Sequence, residues 1–328
     1  MEQSAGRTID STRLWSISDG RAGNARQADA LAAALGGAGR SLVLAPRAPW
    51  RWLAPRALPG SGAAFGPDFA RALDRPPALA VGCGRQAALA TRLLGARGAR
   101  TVQILDPRID ARHWDLLVVP EHDRRSGANV IALLGSLNPV DDAWLEQARR
   151  DFAALAALPM PRTALLLGGP TAHASYDDAR LRALCGELAA RAAAESGSVL
   201  ATVSRRTPPA MVDLVHDALA RTPGMVWRGA RDGANAYPGL LAWADRIVCS
   251  PDSVNMVSEA CATRVPVEVF DIGRSDGRPR RFLDALLARG RIHAPGPDPA
   301  GDGPVEPLRE TARVAQAVRE RLKWSAGG

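Results

Sequence analysis

The chain is predicted to be an α/β protein built as two doubly wound domains, on three observations. Short apolar runs of strand length alternate with longer helix-like segments. The alternation stops at a proline-rich break, Leu158-Pro159-Met160-Pro161, and then restarts in the same order. At 328 residues, 46% of them hydrophobic, the chain can bury two cores at roughly 100–200 residues per domain.

In the first half, Leu14–Ile17 reads as a strand, followed by a polar loop and a helix from Gln27 to Leu35. Ser41–Leu44, Ala78–Val81, Thr101–Leu105, Leu116–Val119 and Val130–Leu134 read as further strands. Gly82-Cys83-Gly84 leads into a helix over Arg85–Leu94, and an Ala-rich helix spans Asp141–Ala156. In the second half the strands are Thr163–Leu167, Val199–Val203, Met225–Trp227, Arg246–Cys249 and Val267–Phe270. Helices are expected over Asp177–Glu195, from Pro208, from Asp252, and over Leu308–Trp324 after a Pro/Gly-rich loop, His293–Pro307. Strand–loop–helix repeats imply parallel sheets covered on both faces, and two such domains are expected to place a ligand cleft between the carboxyl ends of both sheets. The expected division is 1–157, 158–305 and a final helix, 306–328, returning to the first domain.

Composition excludes several classes. No run reaches 18 apolar residues, so no transmembrane helix is expected. Met1–Arg13 lacks an apolar h-region, and a cytoplasmic protein without a secretory leader is expected. Lys plus Arg is 42 against 34 Asp plus Glu, a basic balance suited to an anionic substrate or membrane face. All but Lys323 of the 42 are arginines; they are spread along the chain and form no nucleic-acid module. Cys83, Cys185, Cys249 and Cys261 show no metal spacing, and neither do the histidines, so no metal site is expected.

Four segments carry candidate chemistry. Ser18-Asp19-Gly20-Arg21-Ala22-Gly23-Asn24 follows the first strand; Gly20, Gly23 and Asn24 allow close ligand approach, and Asp19 stands where a general base would. The alternative is a plain strand–helix turn capped by Asp19. Gly168-Gly169-Pro170-Thr171 holds the same position in the second half, offering amides and a hydroxyl to a diphosphate. Ser204-Arg205-Arg206-Thr207 reads either as a phosphate clamp or as a solvated basic turn. Asp252 and Ser253 open a helix that continues through Met256 to Glu259. Its N-terminus suits a phosphate and Glu259 suits ribose hydroxyls, unless Glu259 merely faces solvent. Trp50 and Trp52, among Arg47, Arg51 and Arg56, either touch a membrane interface or fold back into the core.

These motifs, with Gln27 and Pro266-Val267, resemble the mitochondrial-fission Elm-type family, most of whose members are bacterial, over nearly the whole chain. That family is related to GT-B glycosyltransferases, and its members have been labelled nucleoside-diphosphate-sugar epimerases. The resemblance implies a GT-B-like fold of two Rossmann-like domains, acceptor domain first and nucleotide-sugar domain second. It implies an inverting, metal-independent glycosyltransferase acting on cell-envelope glycoconjugates. Asp19 would be the base, Glu259 the ribose ligand, and helix N-termini with Arg205 and Arg206 would hold the diphosphate. The nucleotide-diphosphate sugar would be a co-substrate, with no further cofactor, no nucleic-acid partner and a lipid-linked acceptor at the inner membrane face. A nucleotide-sugar epimerase and a non-catalytic membrane-associated scaffold are the alternatives.

Overall fold

The computed structural model describes residues 14–37, 39–296 and 305–325. The expected leaderless stretch Met1–Arg13 and part of the Pro/Gly-rich loop lie outside them. The chain divides into two compact units: 1–139 with 310–328, and 140–309.

Unit 1 holds β1 (Leu14–Ser18), α1 (Ala22–Ala34), β2 (Arg40–Val43), α2 (Trp50–Leu53), α3 (Pro67–Ala72), β3 (Leu79–Cys83), α4 (Arg85–Gly95), β4 (Arg100–Ile104), β5 (Leu116–Pro120) and β6 (Val130–Leu133). The strands are parallel in the order β2-β1-β3-β4-β5-β6. β1, β3 and β5 are buried throughout, as continuous apolar runs in a sheet covered on both faces must be. The strand order reverses between β1 and β3, and the helices that follow those strands, α1 and α4, therefore pack on opposite faces of the sheet.

Unit 2 holds α5 (Asp142–Asp151), β7 (Arg162–Leu167), α6 (Asp178–Glu195), β8 (Ser198–Val203), α7 (Pro209–Leu219), β9 (Gly224–Trp227), α8 (Tyr237–Trp243), β10 (Arg246–Cys249), α9 (Val254–Cys261), β11 (Val267–Val269) and α10 (Gly277–Ala288). Its parallel sheet runs β11-β10-β7-β8-β9, so its order reverses between β7 and β10. The caps were written into the sequence: Asp141 accepts from the Trp144 N–H at 2.7 Å and Asp177 from the Arg180 N–H at 2.9 Å.

The last helix, α11 (Glu310–Leu322), belongs to unit 1. Val314, Ala315 and Val318 are buried in one cluster with Leu31, Leu35, Ile131 and Leu133. Among the described residues no helix is long and apolar enough to cross a membrane.

Two expectations are corrected. The units divide after Pro139 rather than after Ala157, because α5 joins the second: Arg149 donates to the Ala242 carbonyl of α8 at 2.9 Å. The single helix expected over Asp141–Ala156 ends at Asp151 and tightens into a 3₁₀ turn over Ala153–Ala157, which frees Phe152 and Leu155 to pack against Gly239.

Candidate functional site

In unit 1 the loop after β1 is organised by Asp19. Its Oδ1 accepts from the Asn24 side-chain amide at 2.9 Å and the Arg21 N–H at 3.2 Å, and Arg21 Nε lies 3.8 Å from Oδ2. Asp19 therefore ties the loop rather than capping the helix, whose N-cap is Arg21. The helix begins at Ala22 instead of Gln27, so Gly23 and Asn24 lie in its first turn and not in the loop. Gly20, at φ +79°, supplies the turn that an L-residue would strain. The loop after β3 meets this one at Gly84, where a Cβ would stand 2.5 Å from Asn24 Nδ2 and 3.4 Å from Asp19 Oδ2. Gln103 holds that second loop from below, donating to the Gly84 carbonyl at 3.2 Å. Cys83 beside it is fully buried; burial first, and the Asp19 charge second, push its thiol well above the usual range, so it is no nucleophile.

In unit 2 the loops after β7, β8 and β10 converge where the strand order reverses. The Gly168 N–H donates to Ser250 Oγ at 2.7 Å, and the Gly169 N–H to Asp252 Oδ2 at 3.0 Å. Arg206 Nη2 reaches the same carboxylate oxygen at 2.8 Å. Thr207 Oγ1 accepts from the Ser204 N–H at 3.0 Å and donates to the Gly168 carbonyl, while Ser204 Oγ accepts from the Arg206 N–H at 3.1 Å. Three loops are thus one hydrogen-bonded body, and both glycines are demanded by space. A Cβ on Gly168 would sit 2.1 Å from Asp252 Oδ2, and one on Gly169 would sit 2.3 Å from the Arg206 carbonyl oxygen.

This geometry reassigns several candidates. Asp252 was expected to contact phosphate; instead its own buried carboxylate occupies the anion position, taking the Gly169 amide and Arg206. Its Oδ1 is buried without a hydrogen-bond partner among the described residues. The Tyr176 phenol nearby is pushed up by burial and then by that charge. Ser253 is the N-cap of α9, accepting from the Met256 N–H at 3.3 Å, so neither group is available to a ligand. The first-turn N–H groups of Val254 and Asn255 have no intrahelical partner by position, and Arg205 is exposed. Thr171 closes its own turn, accepting from the N–H groups of His173 and Ala174 at 3.3 and 3.1 Å. Glu259 neither faces solvent nor offers an open carboxylate: it is 3% exposed, and Tyr237 donates to its Oε2. Thr207 stood in the segment read as a phosphate clamp, but it serves to tie the loops instead. Tyr237, Ser250 and Gly84 belong to these clusters but were given no role from sequence; only Gly84, between a strand and a helix, carried a local signal.

Comparison with known proteins sets this geometry in a family. Residues 22–322 match the family described as Mitochondrial fission ELM1. The chain belongs to that family. The Mitochondrial fission protein ELM1 of Arabidopsis thaliana is 29% identical over 282 residues, covering 76% of this chain and 65% of the plant protein; this member of the ELM1 family thus spans slightly under two thirds of that relative's length. An uncharacterised protein of Rickettsia prowazekii is 23% identical over 357 aligned positions, covering 94% of this chain and 98% of its own. Among solved structures, the UDP-GlcNAc 2-epimerase of Methanocaldococcus jannaschii superposes with a TM-score of 0.54 at 14% identity, covering 93% of this chain and 91% of the other. The Neisseria meningitidis UDP-GlcNAc 2-epimerase bound to UDP-GlcNAc gives 0.51 at 11% identity, with 94% and 99% coverage. At such identities the likeness shows the fold: the ELM1 family chain is GT-B-like, with two Rossmann-like domains.

Proposed function

We propose that this protein is an enzyme acting on a nucleoside-diphosphate sugar, a metal-independent inverting glycosyltransferase with its donor site in unit 2. The observation that carries the reading is the convergence of three loops, an α-helix N-terminus and two arginines at the point where the unit 2 sheet reverses. Arg205, Arg206 and the first-turn amides of α9 would hold the diphosphate, supplying the positive charge without a metal. Asp252 would not touch the ligand but would hold Arg206 in place through its Oδ2. Glu259 would take the ribose once the Tyr237 hydroxyl gives way.

In unit 1, Asp19 would accept the proton of the acceptor hydroxyl. The oxygen then forms a bond to the anomeric carbon, and the bond from that carbon to the diphosphate oxygen breaks, its electron pair leaving with the nucleoside diphosphate. The hydrogen bonds from Asn24 and Arg21 hold Asp19 in one orientation for this step. A second reading, epimerisation of the donor itself, is favoured by the likeness to the two UDP-GlcNAc 2-epimerases.

Thermal shift against UDP-, GDP-, ADP-, CMP- and dTDP-sugars tests the donor site. Ligand at 100 times its dissociation constant adds about 2.7 kcal/mol. One nucleotide series should raise the melting temperature in the native chain and fail to do so in Arg205→Ala/Arg206→Ala. No shift with any of them removes the proposal. Incubating that sugar nucleotide alone then separates the readings, since only an epimerase changes the sugar without an acceptor.

A further inference from the structure

We propose that the segment from Val43 to Leu58 of unit 1 is a docking surface for an anionic lipid bilayer. Between Asp29 and Asp68 the sequence carries Arg40, Arg47, Arg51 and Arg56 and no acidic residue. With 34 acids in 328 residues, a stretch of 38 would hold about four, so this run is one-signed. Residues 75–105, with Arg75, Arg85, Arg92, Arg97 and Arg100 and no acid, are one-signed too, but they carry none of the exposed large hydrophobic side chains. The run between Asp29 and Asp68 concentrates exposed apolar surface. Among the described residues five large hydrophobic side chains are exposed, and three are here: Val43 at 66%, Trp52 at 62% and Leu58 at 42%. Arg51 stacks its guanidinium over the Trp52 ring, 5.3 Å from the centroid, and Arg47, Arg51 and Arg56 are all exposed. An exposed indole and an exposed leucine on the same segment as three exposed arginines match the boundary between acyl chains and anionic headgroups, where each type has its own partner. A free phosphate would use the arginines but leave Trp52 and Leu58 without a role.

Looseness of the loop does not explain the exposure, because the backbone beneath it is fastened. Trp50, half-buried, covers Gly60 and packs on a cluster of Ala54, Ala64 and Leu89. The Arg47 N–H donates to the Ala64 carbonyl at 2.8 Å. From α4, Arg85 donates to the Arg51 carbonyl at 3.1 Å and Arg92 to the Pro55 carbonyl at 2.7 Å. One tryptophan of the pair therefore anchors the loop while the other is held out. The surface adjoins the Asp19 loop: Arg85 follows Gly84 directly, and Val43 Cγ1 lies 3.0 Å from where a Cβ on Gly20 would stand. A bilayer bound here would lie beside the Asp19 loop, where a membrane-embedded acceptor could present its hydroxyl.

The test is co-sedimentation of the full chain with vesicles of phosphatidylcholine alone and of phosphatidylcholine with phosphatidylglycerol. Arg51→Glu/Arg56→Glu, Trp52→Ser and Met160→Ser are compared; Met160, 61% exposed in unit 2, controls for the loss of any exposed apolar group. At about 1 kcal/mol per arginine near an anionic surface, losing two lowers the partition coefficient about thirtyfold, and reversing them lowers it further. Trp52→Ser should weaken anionic binding severalfold, Met160→Ser should leave it unchanged, and melting temperatures should match because every substituted side chain is exposed. Equal binding to neutral and anionic vesicles, or binding indifferent to the arginines and Trp52, overturns the proposal. So does a dimer dispersed by Trp52→Ser in a chain that ignores vesicles, which would give the surface to a second copy. Neither outcome bears on nucleotide binding in unit 2.

Discussion

At the scale of single residues, the candidate site in unit 2 is governed by Asp252, and the reason it misled is instructive. An acidic residue just before a helix reads as part of an anion-binding turn. Only the fold shows that its carboxylate is itself the anion there, facing Arg206 and the Gly169 amide. Glu259 is similar: sequence left open a place facing solvent, whereas it is buried, and nothing local announced Tyr237, 22 residues earlier, as its partner. The glycine requirement can be measured. Gly168→Ala should cost about 1–3 kcal/mol in chemical denaturation, because the new methyl would enter the space of the Asp252 carboxylate. In an Asp252→Ala background the same change should cost distinctly less, since the clashing group is gone. Equal costs in both backgrounds would show that the contact does not govern this loop.

At the scale of elements, strands were legible because parallel strands buried on both faces are short continuous apolar runs, and Arg246–Cys249 was placed to the residue. Helix starts were legible where an aspartate caps them, at Asp141 and Asp177. α1 was placed five residues late because its cap is Arg21, a residue type with no capping signature, while the aspartate two residues before it ties the loop. α11 was expected from its pattern, and its apolar stripe completes the unit 1 core. Polar contacts fasten its ends: Glu310 accepts from the Leu134 N–H at 2.9 Å, and Arg321 donates to the Val130 carbonyl at 3.0 Å. Val318→Asp should therefore cost more than about 3 kcal/mol, by placing a carboxylate among Leu31, Leu35 and Ile131 with no partner. A thermal melt within a degree or two of the native chain's would show that α11 only rests on the surface.

At the scale of the whole molecule, unit 1 is made from two stretches of chain and unit 2 from one. The interruption in unit 1 is pinned shut, since Thr311 Oγ1 donates to the Asn138 carbonyl at 2.7 Å and accepts from its N–H at 2.9 Å. The two ends of unit 2 are pinned likewise, with Arg309 reaching Asp142 Oδ2 at 2.7 Å and Oδ1 at 2.6 Å, and Arg264 joining at 3.1 Å. A segment whose ends already meet loses little when it is cut free, so residues 140–309 should fold alone and melt cooperatively. The Asp142 tie also gives that fragment a pH signature. Hydrogen bonds from Arg309 and Arg264 hold the Asp142 carboxyl well below its usual range. Its stabilisation is therefore complete above the ordinary carboxylate value of about 4 and is lost as pH falls through the depressed folded value. Asp142→Asn should lower the fragment's melting temperature at pH 7, and the gap should narrow as pH drops below about 4. If the donor site lies wholly in unit 2, the fragment should also keep the sugar-nucleotide shift of the full chain. A fragment that melts without cooperativity would show that unit 2 depends on unit 1 to fold, and a gap constant with pH would show that the ion pair is not what closes it.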